Sequence, residues 1–113
     1  MRLLLLALGV ALALPAHALS KYADEFMAIT KELEPVHCEK RKLRRAIALA
    51  EAERRDADAR AARHRFANLD KDPKTARLEK RLAELEPFLQ RSPDPEDLRA
   101  INQQRVEAFY RCE

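Results

Sequence analysis

The sequence predicts an all-α protein, and its composition carries that prediction. Gly9 is the single glycine among 113 residues, whereas hairpin turns and phosphate-binding loops usually require glycine. The rest of the chain is rich in alanine, arginine, glutamate, leucine and lysine, which are strong helix formers. We expect a long antiparallel helical hairpin with a broken return arm and an N-terminal helix, stapled by a disulfide.

Residues 1–18 have the pattern of a cleaved export signal. A positive Met-Arg start precedes an apolar run at 3–14, and the small-residue cleavage signal Ala-His-Ala follows at 16–18. A membrane-spanning helix needs roughly 20 apolar residues, so an uncleaved anchor is the less favoured alternative. Cleavage after Ala18 leaves residues 19–113 as one small helical domain, in the bacterial periplasm or outside the cell.

Caps and prolines predict the first two helices. Ser20 is a suitable N-cap, and apolar residues recur behind it at helical spacing from Tyr22 to Leu33. Pro35 ends or kinks this first helix and also suits the first turn of a second. The second helix is expected to run to Leu69, a length of ~50 Å.

Two turns that contain proline separate the later helices. Asp72 and Pro73 form the cap and first position of a third helix. A Ser-Pro-Asp-Pro segment at 92–95 precedes a fourth helix, which ends on Cys112. The third helix carries a stripe of leucines at 4-3-4 spacing: Leu78, Leu82, Leu85 and Leu89.

The two cysteines predict a disulfide between Cys38 and Cys112, because thiols rarely stay reduced after export. An intermolecular bridge and a free thiol pair are the alternatives. If the third and fourth helices together match the second in length, Cys112 arrives beside Cys38 and staples the open end of the hairpin. However, residues 50–65 contain no large apolar side chain. A break near Asp56 would instead produce a compact four-helix bundle.

The residue types that carry catalysis are scarce. Ser20 is explained as a cap, and it has no histidine at a recognisable spacing. His37 beside Cys38 could bind a metal, but a disulfide would consume the thiol. His64 lies among arginines and is expected to be a solvated surface residue. We therefore expect a non-catalytic protein with no metal and no cofactor.

The uneven distribution of charge is the feature of the sequence that points to a function. Residues 54–81 contain ten Lys or Arg against five Asp or Glu, a net of +5, while the rest of 19–113 contains eleven against fourteen, a net of −3. A second basic cluster occupies positions 40–45. The predicted basic binding surface comprises Arg54, Arg55, Arg60, Arg63, Arg65, Lys74, Arg77, Lys80 and Arg81.

Two functions fit this surface in an exported protein. The first is an interaction protein that binds an acidic protein partner, in an inhibitor, immunity or chaperone-like role. The second is a binder of anionic envelope lipid or polysaccharide. Nucleic acid is not expected as a partner, because export removes the chain from it.

Overall fold

The computed structural model describes residues 19–91 and 94–112, and these residues form five α-helices without a strand. The predicted all-α class is therefore confirmed. The predicted export signal lies outside the described residues. The helices are α1 (Lys21–Glu32), α2 (Glu34–Ala52), α3 (Asp56–Leu69), α4 (Pro73–Arg91) and α5 (Pro95–Arg111).

Side-chain caps begin three of the helices where the sequence predicted them. The Ser20 hydroxyl accepts a hydrogen bond from the backbone N–H of Ala23 at 3.2 Å. Asp72 accepts from the N–H of Thr75 at 2.9 Å, and Asp94 accepts from the N–H of Glu96 at 2.9 Å. Each cap satisfies a backbone donor that has no partner within the helix.

The expectation of one continuous helix from Pro35 to Leu69 is wrong, and the alternative break near Asp56 is observed. α2 ends at Ala52 and α3 begins at Asp56. Arg54 adopts a φ of 57°, a left-handed conformation that costs about 1–2 kcal/mol for a residue with a Cβ atom. The cost is tolerated because the turn lets α3 fold back on α2.

Small side chains let α2 and α3 approach closely as an antiparallel hairpin. Ala50, Ala59 and Ala62 are buried along it, together with Leu43 nearer the start of α2. An alanine-rich stretch at 50–65 could not bury much apolar surface as an isolated straight helix, whereas folding back buries its alanines against one another. The hairpin turn is therefore at Glu53–Arg55 rather than at Asp70.

The main core lies among α1, α4 and α5. α1 and α4 run antiparallel, since Lys74 lies 2.7 Å from Glu32 and Arg81 lies 2.6 Å from Glu25. The predicted leucine stripe of α4 faces this core, with Leu85 fully buried. The buried side chains of the core are Ala23, Phe26, Ile29, Leu33, Leu85 and Ile101.

α5 runs parallel to α1, in a register that three contacts define. Asp97 accepts a hydrogen bond from the N–H of Ser20, Gln104 donates to the carbonyl of Met27, and Arg111 donates to Glu34. The partners are 77 residues apart in every case, so α5 follows α1 from end to end. Both predicted arrangements therefore have a counterpart: α2 and α3 form a hairpin, and α1, α4 and α5 form a bundle.

The predicted intramolecular disulfide between Cys38 and Cys112 is present, with a Cα–Cα distance of 5.5 Å. The path to it differs from the expected one. α4 passes the start of α2 and continues beside α1, and α5 then returns along α1 to end at Cys38. No helix within 19–91 or 94–112 is long and apolar enough to cross a membrane.

Candidate functional site

The nine residues of the predicted basic surface are spread over three parts of the fold. Arg54 and Arg55 lie at the turn between α2 and α3, and three arginines follow on α3. Lys74, Arg77, Lys80 and Arg81 lie on α4, whose neighbour is α1. The structure therefore does not bring all nine residues together on one surface.

Several of these cations are already neutralised by carboxylates of the same chain. Arg55 binds both Glu53 and Asp58 at 2.7 Å. The remaining pairs are Arg63 with Glu51, Arg65 with Glu39 at 3.4 Å, Lys74 with Glu32 at 2.7 Å, and Arg81 with Glu25 at 2.6 Å. Within the part of the chain that the structure describes, Arg54, Arg60, Arg77 and Lys80 form no ion pair.

A groove of about 840 Å³ opens between α4 and α5, across the junction of α1 and α2. It exists because α4 and α5 both pack on α1, from different sides, more than on each other. Phe26 and Leu82 contribute apolar surface to the groove, and α5 supplies Val106 and Phe109. Those two α5 side chains are 55% and 56% exposed, so the groove presents accessible apolar surface to solvent.

Arginines line the α2 and α5 sides of this apolar surface, whereas α4 contributes the carboxylates of Glu79 and Glu86. Arg41 and Arg44 come from α2 and Arg105 comes from α5. Among the described residues none of these arginines makes an ion pair. The guanidinium of Arg41 lies 5.0 Å from the ring centre of Phe109, and that of Arg44 lies 5.8 Å from Phe66. Stacking on aromatic rings holds these two cations in place while leaving their charge without a carboxylate partner.

Three other polar groups of the groove, on α2 and α4, contact one another. His37 Nε2 lies 2.7 Å from Glu79, and Lys40 Nζ lies 3.5 Å from the same carboxylate. Lys40 also binds Asp70 at 2.6 Å. This cluster ties the start of α2 to α4 and to the turn before it, so its groups serve to position the helices.

The metal interpretation of His37 with Cys38 fails, because Cys38 is in the disulfide and has no thiol to ionise. Among residues 19–91 and 94–112, no group of three or more potential ligands could hold a metal ion. His64 is exposed on α3, as expected for a surface residue.

The end of α5 that forms one wall of the groove is fastened twice. The disulfide joins Cys112 to α2, and Arg111 donates to both carboxylate oxygens of Glu34, at 2.7 and 3.1 Å. Bidentate pairing of this kind fixes orientation as well as distance. The exposed residues Val106 and Phe109 are therefore held on a rigid wall.

Three carboxylates make stability sensitive to acid. The hydrogen bond from Arg81 holds the pKa of Glu25 below its ordinary value of 4.5, and Arg111 does the same for Glu34. The N–H of Thr75 holds the pKa of Asp72 below 3.8. A lowered pKa in the folded chain gives stability that is present above the unfolded value and is lost as pH falls through the folded value.

We therefore expect the urea midpoint to be flat from neutral pH down to about pH 5 and to fall steadily below about pH 4.5. A Glu34→Gln variant should have a lower urea midpoint than the wild type at neutral pH. Its midpoint should then fall less than that of the wild type on acidification. Glu107→Gln is the control, because Glu107 lies on the same helix as Arg111 but at 4.0 Å from it. Identical acid profiles for wild type and Glu34→Gln would contradict the assignment.

The basic cluster at 40–45 is evident in the sequence, whereas its position beside α5 is not. The disulfide is the feature of the sequence that could have indicated this position. Once Cys112 is placed at Cys38, Phe109 and Arg105 lie about one and two helical turns before it, on the same face of α5. Phe109 then lies beside Arg41, and Arg105 lines the same groove one turn earlier.

Comparisons of the chain with family models, curated proteins and solved structures found no match. The functional assignment consequently depends on the groove and its chemistry.

Proposed function

We propose that this chain is an exported, non-catalytic protein that binds an acidic, amphipathic helix of a partner protein in the groove between α4 and α5. The observation that carries the proposal is the arrangement of unpaired arginines of α2 and α5 beside accessible apolar surface. The disulfide supports an oxidising compartment, and the signal pattern of residues 1–18 supports export.

The apolar part of the groove favours a partner with one apolar face. Val106 and Phe109 are more than half exposed beside Leu82 and Phe26. Contiguous apolar surface with a polar rim is typical of protein–protein contact sites. Covering it removes apolar area from water, at roughly 25 cal/mol for each Å².

The arginines on the α2 and α5 sides of the rim favour an acidic partner. Arg41, Arg44 and Arg105 lack a carboxylate partner among the described residues, whereas five of the nine cations of the predicted basic surface have one within the chain. An incoming carboxylate at the groove does not have to displace an existing ion pair. Complementary charge of this kind increases the association rate and selects the orientation of the partner.

The shape of the groove favours a helix as the bound element. α4 and α5 run in opposite directions along α1, so the space between them has the position of a further helix in a bundle. An amphipathic helix laid into such a groove presents residues at i, i+3, i+4 and i+7 to the apolar surface. Its flanking acidic residues would then reach the arginines of the rim.

Binding to a designed peptide tests this proposal. The probe is an acidic peptide of about four helical turns, with leucines at i, i+3, i+4 and i+7 and glutamates on the flanks. We expect saturable binding by isothermal titration. The Arg41→Glu/Arg105→Glu variant should weaken it by at least about tenfold, or 1.4 kcal/mol.

A matched control has the same change of charge elsewhere. Arg60→Glu/Arg77→Glu also reverses two arginines that have no ion pair in the described residues, but neither lines the groove. Equal losses in the two variants would contradict the groove as the binding site. Binding of a scrambled peptide with equal affinity would contradict the amphipathic helix. Flotation of the chain with anionic vesicles, without peptide binding, would favour the envelope-lipid function instead.

A further inference from the structure

Asp97 is a buried carboxylate whose countercharge is missing. It lies in the first turn of α5, is 4% exposed, and accepts one hydrogen bond, at 2.9 Å, from the backbone N–H of Ser20. No lysine, arginine or histidine within 19–91 and 94–112 forms an ion pair with it. It is the only acidic side chain among the buried residues of that part of the chain.

A carboxylate in this position should have a charged partner. Burying an ionised group is costly unless it is paired as well as hydrogen-bonded. The N-terminus of α5 offsets part of that cost through its backbone dipoles. A single neutral N–H from Ser20 leaves the charge itself without a partner.

The backbone nitrogen of Leu19 lies one peptide unit before the N–H that Asp97 already binds. Leu19 is itself partly buried against the core of α1, α4 and α5. In a chain that still carries residues 1–18, this nitrogen is an uncharged amide. It is thus the nearest position on the backbone at which processing could create a positive charge.

Export processing would change this nitrogen into an ammonium. Hydrolysis of the bond between Ala18 and Leu19 adds one water, which leaves a carboxylate on Ala18 and an amine on Leu19. That amine takes up a proton at neutral pH, because the ordinary pKa of an α-amino group is about 8. The signal peptidase of the host supplies the hydrolysis, with water as the co-reactant.

We propose that Asp97 is the binding site for the α-ammonium group that signal cleavage creates at Leu19. This inference rests on the export in the proposed function and on the expected cleavage after Ala18. The new ion pair fastens the start of α1 to the start of α5, at the end of the bundle opposite the disulfide. The mature chain is accordingly more stable than one whose Leu19 nitrogen is uncharged.

The experiment uses the full chain, exported and processed by a bacterial host, with its start read from the intact mass. The α-amino group is then acetylated near neutral pH, where lysines are largely protonated and react slowly. We expect acetylation to lower the Tm of the wild type by about 5 °C. Asp97→Asn, which keeps an acceptor for the Ser20 N–H, should start lower and should not fall further on acetylation.

Asp24→Asn is the matched control, because Asp24 is an exposed acid in the first turn of α1. It should respond to acetylation as the wild type does. If Asp97→Asn does not fold, the acetylation rate of the wild type decides: we expect the α-amino group to react roughly tenfold more slowly than that of a Leu-Ser peptide, because a protonated, enclosed amine is a poor nucleophile.

The experiment distinguishes a wrong cleavage site from a missing ion pair between Leu19 and Asp97. A mass that retains residues 1–18, or a start other than Leu19, would overturn this inference, and retention of residues 1–18 would also count against the export in the proposed function. A correct start with equal Tm losses in wild type and Asp97→Asn, or an acetylation rate equal to that of the peptide, would overturn only the ion pair. Peptide binding at the groove is measured separately and would stand.

Discussion

Replacing both cysteines, as Cys38→Ser/Cys112→Ser, should lower the free energy of unfolding by about 4.5 kcal/mol. The disulfide closes a loop between residues separated by 74 positions. In the chain-entropy treatment, opening a loop of this length restores roughly that much conformational freedom to the unfolded chain. Because small domains have net stabilities of about 5–15 kcal/mol, the variant should be near its unfolding threshold at 37 °C.

Urea denaturation followed by circular dichroism measures this loss. Wild-type chain treated with a reductant provides the matched comparison and should approach the stability of the variant. The variant itself should not respond to the reductant. A loss below about 1 kcal/mol would contradict the account, since it would mean that the disulfide restricts the unfolded chain much less than its loop length requires.

Replacing the buried leucine of α4, as Leu85→Ala, should lower the free energy of unfolding by about 2–5 kcal/mol. Leu85 is 0% exposed and belongs to the same buried core as Phe26, Ile29 and Leu33. Truncation removes buried methyl groups and leaves a cavity that the surrounding helices can only partly fill. Thermal unfolding in the oxidised state measures the effect without altering the disulfide.

Leu49→Ala is the control for this substitution, because it removes the same atoms from a side chain that is 55% exposed. Its effect should stay within about 0.5 kcal/mol. Equal losses for the two variants would mean that the core does not lie among α1, α4 and α5.

Local signals in the sequence were sufficient to predict where most helices begin. Ser20, Asp72 and Asp94 are caps whose side chains accept hydrogen bonds from the first helical turn. The leucines at 78–89 face the core because their spacing follows the helical repeat. The disulfide followed from two cysteines in a chain with an export pattern. The caps and the leucine stripe are determined by residues close in sequence, and the disulfide follows from the number of cysteines.

The break at Glu53–Arg55 could not be predicted with the same ease. Its sequence is a good helix former, and it contains no glycine or proline to mark a turn. The turn forms because folding back buries Ala50 and Ala59, which is a tertiary gain. Intrinsic preference for a continuous helix is therefore outweighed by packing between two segments.

The candidate site also depends on tertiary contacts. Summed charge identified residues 54–81 as basic, but it could not show that Arg63 and Arg81 are paired with Glu51 and Glu25. The groove joins Arg41 on α2 with Arg105 and Phe109 on α5, residues that are far apart in sequence. Only the packing of α4 and α5 on α1 brings these residues to one surface.

Hydrogen exchange in the presence of the acidic amphipathic peptide is the decisive test of the groove as the binding site, because it locates the bound peptide on the chain. We predict added protection at residues 79–86 of α4 and 105–110 of α5, the segments that line the groove. The Arg41→Glu/Arg105→Glu variant should lack this protection at the same peptide concentration. Protection confined to residues 54–65, with no change along α4 and α5, would contradict the groove and restore the predicted basic surface as the binding site.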